Sequence, residues 1–594
     1  MRLFIHAATL ISAATVTAGT PVVSSMCGTK YKGIERNSVD FFLGIPYAED
    51  TSGENRFKPP RPRVVAPGIT VDATKPGPAC PQSLGMLYAP IGLGNITKIS
   101  EDCLNLNIAR PKKFDAGKKL PVMVWIHGGS FWWSSNNEPT TAPDGLIAQS
   151  VRNGEPIIHV AMNYRLGCRL THEQLKSRLT TFPVFGFANS GALKAERSEN
   201  AGLRDQRAAM EWVRDNIEYF GGDPENITIF GQSSGGLAVG MHMLAYGGTK
   251  PLPFQRGIAE SQSLEPGITG AFARDAMSAT VNYVGCNNTS LDAAETIACL
   301  RKMDTATLLN ASLATYASDI AHNIGDIWLP IVDEDFLPAA PSKLIAEGRF
   351  GNVTFMSGWQ QDDLNYYTNT SIATANDTHD FIRDYLPAMP EDSLTRLLNM
   401  YPVTEFKASV DLTAEFYRAA RIFRDILMVC PSLYLGQAVK TAHHSPVFFY
   451  NFNQTILEPI LKYETNISSY GVVHTSEFAY IFDSFEAYNA SGYPPKSTRA
   501  DHDLSKRASG SWSMYASKGH PSSRGSSASK STTLQDWEDA FLYPGGPYVR
   551  TIGGPNPGLN ALTGVNSTKA MRDQKLDKRC RFLNSPAIIK ALQY

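Results

Sequence analysis

The sequence lacks the features that mark several large classes of protein. Its 55 Lys and Arg residues nearly balance its 56 Asp and Glu residues, so the net charge of −1 offers no basic field for nucleic acid or anionic membranes. After the first residues, no run approaches the ~18 consecutive apolar residues of a membrane span. We therefore expect no nucleic-acid partner and no stable membrane insertion.

Motifs of metal and cofactor enzymes are also missing. The eight cysteines include no Cys-x-x-Cys pair, so zinc and thioredoxin-like chemistry have no support. His172-Glu173 lacks the second histidine of a zinc-protease motif, and neither a P-loop nor a dinucleotide-binding fingerprint is visible. The sequence predicts an activity that needs no metal and no organic cofactor.

Three features that are present predict export. Residues 1–20 combine a short basic start, a mostly apolar stretch and small residues near Ala18, which is the pattern of a secretory signal peptide. Twelve Asn-x-Ser/Thr acceptors predict surface glycosylation, and cysteines of an exported protein are expected to form disulfides. The expected location is secreted and extracellular, and the oligomeric state stays open.

Apolar strands that alternate with amphipathic helices predict an α/β fold with a central, mostly parallel sheet flanked by helices. The predicted strands lie at 121–126, 156–161, 226–230, 257–259, 353–356 and 446–450. The predicted helices lie at 201–220, where Gly221-Gly222 follows as a stop, and at 234–245.

The chemistry centres on a Gly-x-Ser-x-Gly turn, residues 231–235, between a predicted strand and a predicted helix. Such a turn places its serine, here Ser233, on a strained elbow that exposes the hydroxyl group. The glycine loop that follows His127 can aim the N–H groups of Gly129 and Ser130 at a developing oxyanion, together with that of Ser234. With twelve histidines and many acids in the chain, the residues alone leave the base and the acid open.

Segments spread along the chain resemble the type-B carboxylesterase/lipase family, a branch of the α/β-hydrolases. They are residues 42–48, 56–57, 101–107, 127–131, 163–167, 220–224 and 230–236. The resemblance implies one large catalytic domain over residues 21–594 with the α/β-hydrolase fold. It also implies hydrolysis of small-molecule carboxylic esters through an acyl-serine intermediate.

The resemblance suggests partners for Ser233. His474, in a Gly-x-x-His-x-x-Glu pattern, would take the serine proton, and Asp363 would orient the imidazole. Asp362 is the alternative acid, since one residue of register separates the two. Ser261 and Glu477 resemble residues that brace the triad in the family, with plain surface or turn residues as the alternative.

Two departures from the family pattern affect the expected substrate. Ser130 stands where a glycine or alanine is usual, and its Cβ requires a compatible backbone φ. Between Cys80 and Cys103 there is no tryptophan, only Tyr88, so the strongest ring for a quaternary ammonium is missing and choline esters are not expected. Trp132 and Trp133, beside the glycine loop, either line the pocket or serve packing alone.

The resemblance also implies two disulfides, Cys80–Cys103 and Cys286–Cys299. A third bridge found in some relatives would join Cys430 to Cys580, and this pairing stays open, as do Cys27 and Cys168. The polar segment 168–183 interrupts a stretch that the family keeps short. Our hypothesis is that it is an intron read as coding sequence, with a genuine surface loop as the alternative.

Two other functions remain as alternatives to a secreted esterase. A lipase that acts on longer-chain glycerides has the same motifs, and composition does not separate the two. A non-catalytic binding relative is the second alternative, although such relatives typically lose the serine or the histidine, which this sequence keeps.

Overall fold

The computed structural model describes residues 20–86, 91–167, 184–319, 328–490, 492, 496–523 and 532–594. The predicted signal peptide (apart from Thr20), Tyr88, Cys168 and the segment 168–183 lie outside the described residues.

The centre of the fold is an 11-stranded sheet with the order β16-β15-β14-β13-β12-β11-β9-β10-β8-β4-β3. Pairings from β10 through β9 and β11 to β15 are parallel, whereas β3, β4, β8 and β16 add antiparallel strands at the two sides. The strands are β1 Val22–Ser24, β2 Lys30–Lys32, β3 Ile34–Arg36, β4 Val39–Pro46, β5 Thr70–Asp72, β6 Gly85–Met86, β7 Asn95–Ile96, β8 Asn105–Pro111, β9 Leu120–Ile126, β10 Ile158–Met162, β11 Gly222–Gln232, β12 Arg256–Glu260, β13 Thr354–Gln360, β14 Val447–Phe452, β15 Tyr548–Ile552 and β16 Gly558–Ala561. The α/β architecture expected from the sequence is confirmed.

Helices cover the sheet. They are α1 Asp144–Arg152, α2 Gly191–Ala195, α3 Ala201–Asn216, α4 Ser234–Leu244, α5 Phe272–Tyr283, α6 Ala294–Lys302, α7 Thr305–Asp319, α8 Pro341–Ala346, α9 Ala375–Tyr385, α10 Glu391–Asn399, α11 Ala414–Arg424, α12 Cys430–His443, α13 Glu458–Thr465, α14 Phe478–Ile481, α15 Phe485–Ala490, α16 Arg499–Lys518, α17 Lys569–Asp573, α18 Leu576–Leu583 and α19 Pro586–Leu592. A π-helical turn, Asp425–Val429, joins α11 to α12.

The six predicted strands are all present, and each is a run of apolar residues buried within the sheet. In β14 every residue is buried, and in β9 all but one. Strands covered on both faces take such continuous apolar runs because neither side meets water. The predicted helix 201–220 divides into α3 and a 3₁₀ turn, Ile217–Phe220, and Gly221 ends it with a φ of 88°.

The topology brings the candidate site to one edge of the sheet. The glycine loop follows β9, Ser233 follows β11, Asp363 follows β13, and His474 lies in the connection after β14. These strands run parallel, so their carboxyl ends share one edge, which is where open α/β sheets place their ligands. Ser233 and His474 are 241 positions apart in the numbering and are brought together by this arrangement alone.

One described helical segment, Ala414–His443, is long and apolar enough to cross a membrane by composition. In its most apolar window, 83% of the residues are buried inside the protein, as expected of a helix in a protein core. The structure contains the disulfides Cys80–Cys103, Cys286–Cys299 and Cys430–Cys580. Cys27 is exposed and carries a free thiol.

Candidate active site

Ser233 lies at the turn between β11 and α4 with a φ of 61° and a ψ of −130°. Residues with a side chain rarely adopt this conformation, which costs of order 1–3 kcal/mol. The turn depends on close backbone approach, because a Cβ on Gly235 would stand 2.1 Å from the Ile126 carbonyl oxygen. A Cβ on Gly231 would likewise lie 2.6 Å from the backbone of Gly235. The elbow therefore holds a half-buried Ser233 at the pocket.

His474 and Asp363 meet across two loops. Nδ1 of His474 lies 2.5 Å from Oδ1 of Asp363, and both side chains are buried. Since a carboxylate only accepts hydrogen bonds, Nδ1 carries the proton of this contact, and Nε2 is the ring nitrogen that faces away from Asp363. The second carboxylate oxygen, Oδ2, accepts a hydrogen bond of 2.8 Å from the backbone N–H of Gln360. The structure thus gives His474 a fixed orientation in the pocket that Ser233 also lines.

Asp362, the alternative acid, has different partners. Its Oδ2 accepts a hydrogen bond of 3.1 Å from the backbone N–H of Val472, and its Oδ1 lies 3.8 Å from Nη2 of Arg421. The structure therefore brings Asp363 to the imidazole and places Asp362 beside the backbone of the loop that carries His474.

Gln232, which sequence reasoning missed, contacts the base directly. Its Nε2 lies 3.0 Å from Nε2 of His474 and donates to it, since an amide nitrogen only donates. This amide occupies the nitrogen of His474 that faces away from Asp363. The position of Gln232, immediately before the serine, was the signal available in the sequence.

The glycine loop packs directly on the nucleophile elbow. A Cβ on Gly128 would lie 2.3 Å from the Gln232 carbonyl oxygen, and the backbone N–H of Phe131 donates to Oγ of Ser234 at 3.1 Å. Ser130 has a φ of 53°, so the departure from glycine is accommodated in the left-handed region. Gly129 and Ser130 both line the pocket, beside Ser233.

His127 fixes the orientation of this loop, and sequence reasoning did not assign it a role. Its Nδ1 lies 2.9 Å from the Gly128 carbonyl oxygen, which only accepts, so the ring donates. The C=O of Gly128 and the N–H of Gly129 belong to one trans peptide and point in opposite directions. Holding the carbonyl therefore aims the N–H of Gly129. Burial lowers the pKa of His127 to about 4, so the ring is neutral.

Ser261 and Glu477 are both buried near Asp363. Ser261 accepts a hydrogen bond of 3.3 Å from Nε2 of Gln360, the residue whose backbone N–H holds Asp363. Glu477 is fully buried, and neither of its carboxyl oxygens has a well-formed hydrogen bond. Burial, together with the nearby carboxyls of Glu260 and Asp363, raises the pKa of Glu477 well above its ordinary value.

The pocket is lined largely by apolar surface. Its apolar wall consists of Ile91, Trp125, Trp132, Trp133, Tyr367 and Phe478. No Lys or Arg is among the described residues that line it. The one lining carboxylate, Glu138, accepts hydrogen bonds from the N–H groups of Leu93, Gly94 and Thr140 and from the Thr140 hydroxyl.

Trp132 and Trp133 both line the pocket and both are buried. The indole of Trp133 fits between two glycines. A Cβ on Gly92 would lie 2.1 Å from its Cη2 atom, and one on Gly129 would lie 2.8 Å from its Cδ1 atom. Trp133 thus joins the loop closed by the Cys80–Cys103 disulfide to the glycine loop.

Within the described ranges, no group of three or more His, Cys, Asp or Glu side chains is placed to share a metal ion. The polar groups that converge on the pocket include a serine, a histidine paired with a carboxylate, and backbone N–H groups. This set matches nucleophilic acyl transfer, in which a base activates a hydroxyl group and N–H donors stabilise an oxyanion.

Comparisons with known proteins agree with this chemistry. A profile of the carboxylesterase family matches residues 20–544. A protein named as a secreted lipase from Arthroderma benhamiae is 44% identical over 98% of this chain and 98% of its own. A protein named as an inactive carboxylesterase-like protein from Byssochlamys spectabilis is 31% identical, over 95% of this chain and 93% of its own. The crystal structure of Aspergillus niger EstA has the same fold, with a TM-score of 0.74 at 23% identity, covering 97% of this chain and 99% of that one.

Proposed function

Because the chain belongs to the carboxylesterase family, we propose that it is a secreted hydrolase that cleaves carboxylic esters through an acyl-Ser233 intermediate. As a member of this family it is a carboxylic ester hydrolase. The observation that carries the proposed mechanism is the 2.5 Å contact between His474 and Asp363 in the pocket that Ser233 lines. The secreted location is supported by the named secreted relative and by the sequence pattern of residues 1–20.

In this mechanism Oγ of Ser233 attacks the ester carbonyl carbon while Nε2 of His474 takes its proton. Asp363 stabilises the imidazolium that forms, and the N–H groups of Gly129, Ser130 and Ser234 hold the oxyanion. His474 then returns the proton to the leaving alcohol, which frees it and leaves the acyl group on the serine. A water molecule, deprotonated by the same nitrogen, releases the acid and restores Ser233.

The pocket supports uncharged substrates. A carboxylate or phosphate on the ester would find no Lys or Arg among the described lining residues, and burying an unpaired charge is costly. The aromatic walls instead offer apolar surface to the acyl or alcohol group.

A lipase that acts on longer-chain glycerides is the second candidate function, because the 44% identical relative is named a lipase. A panel of p-nitrophenyl esters of increasing acyl length separates the two, if each ester is tested below and above its solubility limit. Activity that rises steeply above the solubility limit indicates a lipase. Activity that follows dissolved ester alone indicates an esterase.

Point variants test the mechanism. Ser233→Ala and His474→Ala should each lower kcat by about 10⁴-fold or more with the fold intact, because triad members act as a unit. Asp363→Asn should cost far more activity than Asp362→Asn. A Ser233→Ala protein with normal esterase activity would contradict the mechanism, and the reverse order of the two aspartates would move the acid by one residue.

A relative named as inactive makes direct measurement of activity necessary. The purified protein should hydrolyse p-nitrophenyl esters and should be labelled at Ser233 by a fluorophosphonate, which reacts with activated serines. A folded protein that is neither labelled nor active would support the non-catalytic alternative instead.

A further inference from the structure

Two loops carry the catalytic pair, and α11 lies against both. The acid loop is residues 361–365, after β13, and the histidine loop is residues 469–474. Tyr417, Arg421 and Arg424 of α11 are spaced by four and three residues, so they share one face of the helix.

Each of these three side chains contacts one of the loops. The hydroxyl of Tyr417 donates to the Ser469 carbonyl oxygen at 2.8 Å, in the histidine loop. Nη1 of Arg424 donates to the Gln361 carbonyl oxygen at 2.7 Å, in the acid loop. Between them, Arg421 forms an ion pair of 3.8 Å with Asp362.

Asp362 joins the two loops directly. Its backbone N–H donates to the Val472 carbonyl oxygen at 3.0 Å, and its Oδ2 accepts from the Val472 N–H at 3.1 Å. The space for this contact exists because residue 471 is a glycine, since a Cβ there would lie 2.3 Å from Oδ2 of Asp362. Val472 is two residues from His474, so this clamp lies next to the imidazole.

The carboxyl-terminal end of α11 is held by several contacts. The Arg424 guanidinium also binds Asp425 Oδ1 at 2.6 Å and Gln574 Oε1 at 3.1 Å, and both members of the Arg424–Asp425 pair are buried. Asp425 opens the π-helical turn, an irregularity that is frequent near functional sites. Cys430, at the start of α12, is bonded to Cys580 of α18. The helix is thus a fixed support for the two loops.

We propose that α11 is a positioning helix that sets His474 against Asp363, with Asp362 as a residue that couples the two loops, alongside the hydrogen bonds from the His474 N–H to the Asp363 carbonyl oxygen and from Asn365 to the Tyr470 carbonyl oxygen. This inference rests on the proposed function, because it concerns the same catalytic pair. Asp362 is a positioning residue and touches no substrate. Its removal should displace the imidazole, and a displacement of about 1 Å is enough to cost about 10²-fold in rate.

The test compares Asp362→Ala with Asp362→Asn in the full-length protein. The alanine variant should lower kcat by about 30- to 100-fold with KM nearly unchanged, because the side-chain half of the Val472 clamp is lost while the backbone hydrogen bond remains. The asparagine variant keeps an oxygen that can accept from Val472 and should lose about fivefold or less. The far-downfield proton resonance of the His474–Asp363 hydrogen bond should shift or broaden in Asp362→Ala and persist in Asp362→Asn.

Arg418→Met is the matched control. Arg418 lies on the same helix, is buried, and binds the Tyr401 and Leu398 carbonyl oxygens instead of the two loops. Its replacement should lower the melting temperature while kcat and the downfield resonance stay unchanged. This separates a general loss of stability from a loss of positioning.

Several results would overturn the proposal. A folded Asp362→Ala protein with kcat within about twofold of wild type would do so, as would lower activity with an unchanged downfield resonance. If Asp362→Ala does not fold, a double-mutant cycle of Asp362→Asn and Arg421→Gln takes its place, and strictly additive effects on kcat would count against it. Ser233→Ala tests the proposed function separately, because this change removes the proposed nucleophile and leaves the contacts between Asp362 and Val472 in place.

Discussion

Replacing His127 by Phe tests whether one buried hydrogen bond organises the oxyanion site. The Phe ring keeps the stacking on Tyr164, where the ring centroids are 4.4 Å apart and the planes differ by 19°. It removes the Nδ1–H that donates to the Gly128 carbonyl oxygen at 2.9 Å. The peptide between Gly128 and Gly129 then lacks the contact that aims the Gly129 N–H at the oxyanion.

The size of the effect follows from that bond. A buried neutral hydrogen bond contributes about 0.5–1.5 kcal/mol, and ~1.4 kcal/mol is tenfold in a population. We therefore expect kcat to fall by about 10-fold, with the 10²–10³-fold loss of a complete oxyanion donor as the ceiling. KM should stay nearly constant, because the donor acts on charge that develops only in the transition state. The pKa of His127 is lowered to about 4, so the loss should be the same from about pH 6 to pH 8.

The assay combines steady-state hydrolysis of a soluble p-nitrophenyl ester with inhibition by a trifluoromethyl ketone, which forms an oxyanion on Ser233. The affinity for the ketone should fall in proportion to kcat/KM. Tyr164→Phe is the control, because it removes the hydroxyl that donates to the His127 carbonyl oxygen at 2.7 Å and leaves the Gly128 contact in place. A folded His127→Phe enzyme with unchanged kcat, or with a change in KM alone, would refute the reasoning.

Three further predictions concern stability, selectivity and the unusual insert. Burial lowers the pKa of His159 from 6.5 to about 3. As pH falls below about 6.5, His159 therefore takes up a proton in the unfolded chain but not in the folded protein. The free energy of unfolding that His159 contributes above that pH is lost by ~1.4 kcal/mol per pH unit toward pH 3. His159→Phe should remove this contribution to the pH dependence of stability. In denaturant titrations between about pH 7 and 4.5, the wild type should lose about 2–3 kcal/mol more unfolding free energy than the variant. Equal losses would contradict the lowered pKa of His159. Trp133→Ala should raise kcat/KM for bulky acyl esters relative to acetate by about tenfold, because it removes the indole wedged against Gly92, and an unchanged ratio would show packing alone. The Gly186 N–H donates to the Leu166 carbonyl oxygen at 2.9 Å, so joining Gly167 to Val184 should preserve folding and activity. Sequencing the transcript tests the intron hypothesis, and a mature message that contains codons 168–183 would contradict it.

The central strands could be predicted from the sequence because their signal is local. A short apolar run between polar or glycine-rich segments identifies β9, β11 and β13 without knowledge of their neighbours. The observed bounds of these strands differ from the predicted ones by one to four residues. In one case the reason is plain: β10 begins at Ile158 and not at Pro156, which has no N–H group to donate to a neighbouring strand. The antiparallel strands β4 and β8 were not predicted, since they depend on pairing with each other across a long stretch of chain.

The candidate site divides in the same way. Ser233, Ser234 and the glycine loop belong to contiguous motifs whose backbone demands are visible in the residue types. The contacts of Gln232 and His127 were missed because they depend on side-chain directions, although both residues stand next to the motifs that were found. The buried position of Glu477 among other carboxyls was also out of reach, since no local pattern shows which acids are brought together.

The pair Asp362 and Asp363 shows where sequence reasoning ends. Both are aspartates in the same loop, so residue type and local pattern leave them equal. What separates them is supplied by residues 59 to 111 positions away: the imidazole of His474 for one, and the N–H of Val472 with the guanidinium of Arg421 for the other. The glycine at position 471 reflects this difference between the two aspartates, because only a residue without a Cβ leaves room for the Asp362 carboxylate. Gly471, three residues before His474, therefore indicates that Asp362 packs against the histidine loop.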